Sequence, residues 1–202
     1  GDFVYEYPTG ITEGAIDGFF LERPLTLNLN ATNDDLGSRS TNLSLKTRVL
    51  LGGTEISNLV GRSVPDELLI GETAVDIAFQ AGDGVAVQIT SELDGLAIGL
   101  PEPFAKEAQD PSSMNIDLSI SESLSATINY ADVLTAKVSR DATQVWRTAV
   151  NIGSKNEPRL TSDSAAGTVN VSGHLVEIDA LAWSQLAGAV SGSADFAGPS
   201  VI

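Results

Sequence analysis

Val75-Asp76-Ile77-Ala78-Phe79-Gln80-Ala81-Gly82-Asp83-Gly84-Val85-Ala86-Val87-Gln88-Ile89-Thr90 decides the fold class. Val75, Ile77 and Phe79 precede a Gly-Asp-Gly break, and Val85, Val87 and Ile89 follow it. The residues between them are Asp, Gln, Thr or Ala. Side chains of a strand alternate between its two faces, so each run presents one dry face and one wet face. Asp-Gly between two such runs supplies the positive backbone angles of a tight hairpin turn. The stretch therefore predicts two antiparallel strands whose apolar sets face the same way.

The same period extends in both directions. Leu25-Thr26-Leu27-Asn28-Leu29-Asn30, Ile116-Asp117-Leu118-Ser119-Ile120-Ser121 and Leu124-Ser125-Ala126-Thr127-Ile128-Asn129-Tyr130 repeat it cleanly. Looser versions run through 43–50, 133–140, 144–150 and 168–172. Turn residues separate them: Asn33-Asp34-Asp35-Leu36-Gly37, Gly52-Gly53 and Asn151-Ile152-Gly153-Ser154-Lys155-Asn156. Short strands at this spacing predict a mainly β chain, an antiparallel meander in which sequence neighbours pair. Two stretches break the pattern. Pro101-Glu102-Pro103-Phe104 followed by good helix formers predicts a short helix or turn over 102–108. Asp179 ahead of Leu181, Trp183 and Leu186 predicts another over 179–186. No linker rich in Pro, Gly or Ser divides the chain, so 1–202 reads as one β-rich segment.

Charge narrows the partners. The 202 residues carry 27 acids against 11 bases, a formal net charge of −16. That balance repels a phosphate backbone, no basic cluster offsets it, and nucleic acid is excluded as a partner. It also disfavours direct contact with an anionic bilayer surface. No apolar run approaches the roughly 18 residues of a membrane-spanning helix. Gly1-Asp2-Phe3-Val4-Tyr5 is already strand-like, which suggests a piece cut from a longer protein.

The residues supply little for catalysis. There is no cysteine, and His174, the only histidine, follows a strand-like run. No Gly-x-Ser-x-Gly elbow is present. The adjacent acids Asp34-Asp35 and Asp66-Glu67 sit among turn residues, where carboxylates are ordinarily solvated. Neither the EF-hand spacing nor a Gly-Gly-x-Gly-x-Asp repeat occurs. Asn30, Asn42 and Asn170 begin glycosylation sequons at a frequency close to chance. The expectation is a non-enzymatic chain without cofactor or metal.

Three passages carry a resemblance. Ile89-Thr90-Ser91-Glu92-Leu93-Asp94-Gly95-Leu96-Ala97-Ile98-Gly99-Leu100-Pro101-Glu102-Pro103-Phe104-Ala105-Lys106-Glu107-Ala108 resembles the S-D-L-x-G-L-x-x-x-L-P-x-P-x-x-K signature of the YhdP branch of the AsmA-like bacterial envelope proteins. Val171-Ser172-Gly173-His174-Leu175-Val176-Glu177-Ile178-Asp179-Ala180-Leu181-Ala182-Trp183 is similar to that family's G-x-L-P-x-L-D-x-x-x-W passage, with Val176 in place of the proline. Tyr5-Glu6-Tyr7-Pro8, Gly18 and Pro24-Leu25 resemble its hairpin entry. The resemblance implies an internal-to-C-terminal fragment of a long periplasmic protein, anchored in the inner membrane outside this segment. It further implies a Gram-negative envelope, a β-groove body like that of bridge-like lipid carriers, and phospholipid transport that maintains the outer-membrane permeability barrier. No catalytic residue is implied.

The physical reading agrees with a groove. A dry face must be covered by another sheet, a helix or a ligand, and aromatics make up only 5% of the chain. The expected architecture is a curved, groove-like antiparallel sheet with one or two short helices. Its apolar face would hold phospholipid acyl chains through Leu25, Leu27, Leu29, Val75, Ile77, Phe79, Val85, Val87, Ile89, Ile116, Leu118 and Ile120. A closed β-sandwich is the competing architecture. The competing function is a structural or assembly module that binds other envelope proteins without touching lipid. A carbohydrate-binding or adhesin sandwich is the third reading, and it lacks the exposed aromatics that sugars stack on.

Overall fold

A computed structural model describes residues 2–6, 10–20, 23–33, 41–60, 64–154, 158–160 and 167–191. Four strands come first: β1 (Asp2–Glu6), β2 (Gly10–Phe20), β3 (Arg23–Asn33) and β4 (Thr41–Gly52). Helix α1 (Gly53–Val60) precedes β5 (Leu69–Ala81), β6 (Val85–Ser91) and the short β7 (Leu96–Ile98). Then follow β8 (Met114–Ile120), β9 (Leu124–Tyr130), β10 (Leu134–Arg140), β11 (Trp146–Ile152), β12 (Val169–Gly173) and helix α2 (Ala180–Ser191).

The meander forms as the alternation requires. Among the described residues the sheet order is β1-β2-β3-β4-β5-β6-β8-β9-β10-β11-β12, with β7 set aside on β5. Every adjacent pair is antiparallel except β11 and β12, which run parallel. No pairing joins β1 to β12 in this order, so the sheet stays open, a mainly β groove-like layer with two short helices. The Gly82-Asp83-Gly84 turn is where the pattern places it. Ala81 pairs with Val85, and the Gly82 N–H donates to the Gly84 carbonyl at 2.9 Å. The expected turns over 33–37 and 151–156, and the hairpin entry at 5–8, fall partly on positions outside the described residues.

Antiparallel order sorts the connections onto two margins. The turns at 82–84, 121–123 and 141–145 line one of them. Helix α1, the excursion 92–113 and the approach to α2 lie along the other. That second margin holds the closed core. Val49, Leu51 and Val75 are buried there, with Ile56 of α1, Ile77 and Ile89 packed against them. Leu93, Leu96 and Phe104 of the excursion are buried as well.

The helices correct the sequence reading in part. Of the helix or turn expected over 102–108, the turn forms and the helix does not. Pro101 and Pro103 hold an irregular turn with a cis Glu102–Pro103 bond, and Lys106 exchanges both backbone hydrogen bonds with Ile98 at 2.8 and 3.0 Å. A distant strand-like pairing overrides local helix propensity here. The helix expected over 179–186 forms as α2, and Asp179 Oδ1 accepts the Ala182 N–H at 2.9 Å as an N-cap. Gly52-Gly53, read as a turn, instead opens α1. No helix among the described residues is long and apolar enough to cross a membrane.

Candidate functional site

Residues opposite one another in a ladder share a face, so the register shows which runs combine. Leu29 stands opposite Leu45, and Leu45 opposite Phe79. Phe79 stands opposite Val87, and Val87 opposite Leu118. The row continues through Ala126 and Val138 to Thr148, then to Val169 on β12. A second row, Ile77-Ile89-Ile116-Ile128-Ala136-Val150-Val171, runs beside it. One apolar face therefore crosses the sheet from β3 to β12. Eight steps of about 4.8 Å make it roughly 38 Å long, and a seven-residue strand makes it about 23 Å wide.

Eleven of the twelve expected lining residues fall into three groups. Leu27, Leu29, Ile77, Phe79, Val85, Val87, Ile89, Ile116 and Leu118 are half-buried, screened by their neighbours in the sheet. Ile120, at the turn margin, is 39% exposed. Val75 is only 2% exposed, sealed with Val49 and Leu51 beneath α1. Leu25 pairs with Gly18 on the same parity, and its side chain is outside those described. The sequence list also missed members of the face. Leu43, Leu45, Leu124, Ile128, Val138 and Val150 belong to it, and the period-two signal in their runs is the one that could have found them.

The opposite face is wet. Asp76, Gln88 and Asp117 are exposed on it. Gln88 Nε2 donates to Asp117 Oδ1 at 3.1 Å, and Asn115 Nδ2 donates to Asp117 Oδ2 at 2.6 Å. Arg48 and Asp76 form an exposed ion pair at 3.6 Å. Thr26 Oγ1 donates to Asp17 Oδ1 at 2.8 Å. An open depression of about 350 Å³ on this face lies beside Gln88, Asp117 and Ser125, with Ala78 and Ala86 also in its lining.

The remaining candidates stay scattered. His174 is exposed, and its backbone N–H donates to the Ile152 carbonyl at 3.0 Å. Asp66 and Glu67 are exposed in the turn closed by Leu68 N–H to the Pro65 carbonyl. Asp34-Asp35 is outside the described residues. Among the described residues no three His, Asp or Glu side chains gather as metal ligands would.

Residues 92–108, from the first of the three passages that carry the envelope-family resemblance, sit at the closed margin. The Gly95 N–H donates to the Ala108 carbonyl, and Gly99 N–H to that of Leu68. Lys106 is buried, and its Nζ donates to the carbonyls of Leu96 and Glu107 at 2.8 and 2.9 Å. Tyr130, on the apolar face, donates its hydroxyl to the Phe104 carbonyl at 3.0 Å. Burial, and secondarily the charge of Glu102, push the Tyr130 phenol up from its ordinary value. Phe104 in turn meets Trp183 of α2 edge to face, with centroids 5.8 Å apart. The excursion thus forms a wall along one side of the apolar strip.

No family model, curated protein or solved structure matches the chain.

Proposed function

We propose that the chain is a non-enzymatic segment of a periplasmic bridge-like protein that carries phospholipid between the inner and outer membranes. In this reading the full-length protein is anchored in the inner membrane outside this segment, and its transport maintains the outer-membrane permeability barrier. The observation that carries the proposal is the largely apolar face of an open sheet, backed by a mostly polar one. A soluble monomer seldom leaves more than a few hundred Å² of contiguous apolar surface uncovered. Here α1 and the excursion cover one margin, and the strip beyond them faces no second sheet among the described residues. Acyl chains would cover it without an ordered partner. A strip about 23 Å wide exceeds the roughly 15 Å depth of one leaflet's hydrocarbon, so tails can lie along the strands. The signature-like residues over 89–108, which build the wall, add the family resemblance as a second support.

The test is site-specific photo-crosslinking in cells. A crosslinker at Ile77, Val87 or Leu118 is expected to capture phospholipid. The same group at Asp76, Gln88 or Asp117, on the other face, is expected to capture none. Equal lipid capture on both faces would overturn the reading. Protein adducts without lipid at Val87 would favour the assembly-module alternative.

A further inference from the structure

The dry face carries one feature foreign to it. Leu134, Ala136, Val138 and Arg140 share a parity on β10, so three apolar positions end in a guanidinium. Arg140 stands opposite Leu124 on one side and Trp146 on the other, at the turn margin facing away from the wall. Its Cζ lies 5.2 Å from the centroid of the Trp146 ring, a cation–π contact. Trp146 is 44% exposed, so this margin of the strip is open.

The other described cations of β4 to β12, apart from Arg159 in the stretch 158–160, are turned elsewhere. Lys46, Arg48, Lys137 and Arg147 have the parity of the wet face. Lys106 is buried in the wall and donates to two carbonyls. The nearest acid in sequence, Asp141, is engaged by Arg147 at 2.6 Å and by Thr143 and Val145. Among the described residues no carboxylate pairs with Arg140.

Resting on the lipid reading above, we infer that Arg140 and Trp146 form a headgroup subsite that takes the phosphate of a zwitterionic phospholipid. A guanidinium presents a planar fork of N–H donors that matches phosphate oxygens. An indole beside it is the side chain that favours the boundary between hydrocarbon and water. The wall closes the far margin, so tails lying along β8 to β10 leave their headgroup at the margin where Arg140 stands. The net charge of −16 opposes lipids with net negative charge, which selects a zwitterion such as phosphatidylethanolamine.

The experiment offers the full chain equimolar dioleoyl phosphatidylethanolamine and dioleoylglycerol, and native mass spectrometry reads the ratio retained. The pair shares its acyl chains and differs in the phosphate headgroup. The parent is expected to prefer the phospholipid. Arg140→Gln is expected to lower that preference about tenfold, the low end for hydrogen bonds to a charged group, with dioleoylglycerol capture unchanged. Arg140→Lys should restore part of it, and Trp146→Leu should lower it about threefold through loss of the cation–π contact. An unchanged ratio in Arg140→Gln and Trp146→Leu would overturn the subsite and leave the lipid reading standing. A parent that retains neither lipid would sink both. Displacement of the phospholipid by millimolar inorganic phosphate would mark a free-anion site and overturn the headgroup assignment.

Discussion

The carboxylate of Asp141 organises the β10–β11 turn by itself. Its Oδ1 accepts the Thr143 hydroxyl, the Thr143 N–H and the Val145 N–H, while Oδ2 accepts Arg147 Nη1. The Thr143 hydroxyl, then Arg147, then the Val145 N–H hold its pKa well below the usual carboxylate range. A depressed folded pKa contributes stability that is fully present above the unfolded value of about 4 and is lost as pH falls below it. Asp141→Asn should therefore flatten the acid limb. Between pH 6 and pH 2.5 its urea midpoint should fall less than that of the parent, and coincident limbs would show that the carboxylate is not anchored. Tyr130 works in the opposite direction: its raised pKa adds stability that disappears as pH climbs past about 10. The two turn aspartates differ in how openly the sequence shows them. Asp83-Gly84 is a local signal between clean runs, whereas the partners of Asp141 are aligned only once Arg147 has come back across the hairpin.

At the scale of elements, long-range contacts decide what local propensity leaves open. Glu55 Oε2 accepts the Gly52 N–H at 3.0 Å, the return half of a capping box, so the glycine pair starts α1 rather than a simple turn. Gly53 also sits against β5, where a Cβ would lie 2.9 Å from the Leu69 carbonyl oxygen. The approach to Leu69 does not show in the sequence until β4 and β5 are paired. The wall depends on a comparable approach. Gly71 has φ +97°, and a Cβ there would meet the Gly95 carbonyl oxygen at 2.2 Å. Gly71→Ala should lift β7 off β5 and cost about 2 kcal/mol or more through backbone strain and lost contact. Hydrogen exchange of the Ile98 amide, which pairs with Lys106, should quicken in that variant. An unaltered Ile98 amide would mean that the wall does not rest on this glycine approach. The same wall explains why 102–108 takes the turn and not the helix, because the stretch spends its backbone groups on β7 and on Tyr130.

At the scale of the molecule, parity within a run was visible but the assembly of runs was not. The apolar strip exists because nine strands, β3 to β12 along the sheet, keep a register in which their dry sets face the same way, and register is set jointly by neighbours. The parallel β12 lay beyond sequence reading, since 153–168 gives no crossover pattern. Whether the strip is open or sealed is a question of energetics that two substitutions separate. Val75 lies under α1 at 2% exposure, and an aspartate there would be a buried, unpaired charge costing about 3–5 kcal/mol. Val87 lies between Phe79 and Leu118 in mid-sheet, half-buried by lateral neighbours alone. A carboxylate at Val87 can reach water, so Val87→Asp should cost about 1–2 kcal/mol, the loss of one valine's partial burial. Urea denaturation should then show Val75→Asp largely unfolded and Val87→Asp folded but unable to retain phospholipid. Should Val87→Asp unfold as completely as Val75→Asp, the strip is a closed core and a sandwich replaces the groove. A folded Val87→Asp that holds lipid as well as the parent would instead move the lipid surface away from β6.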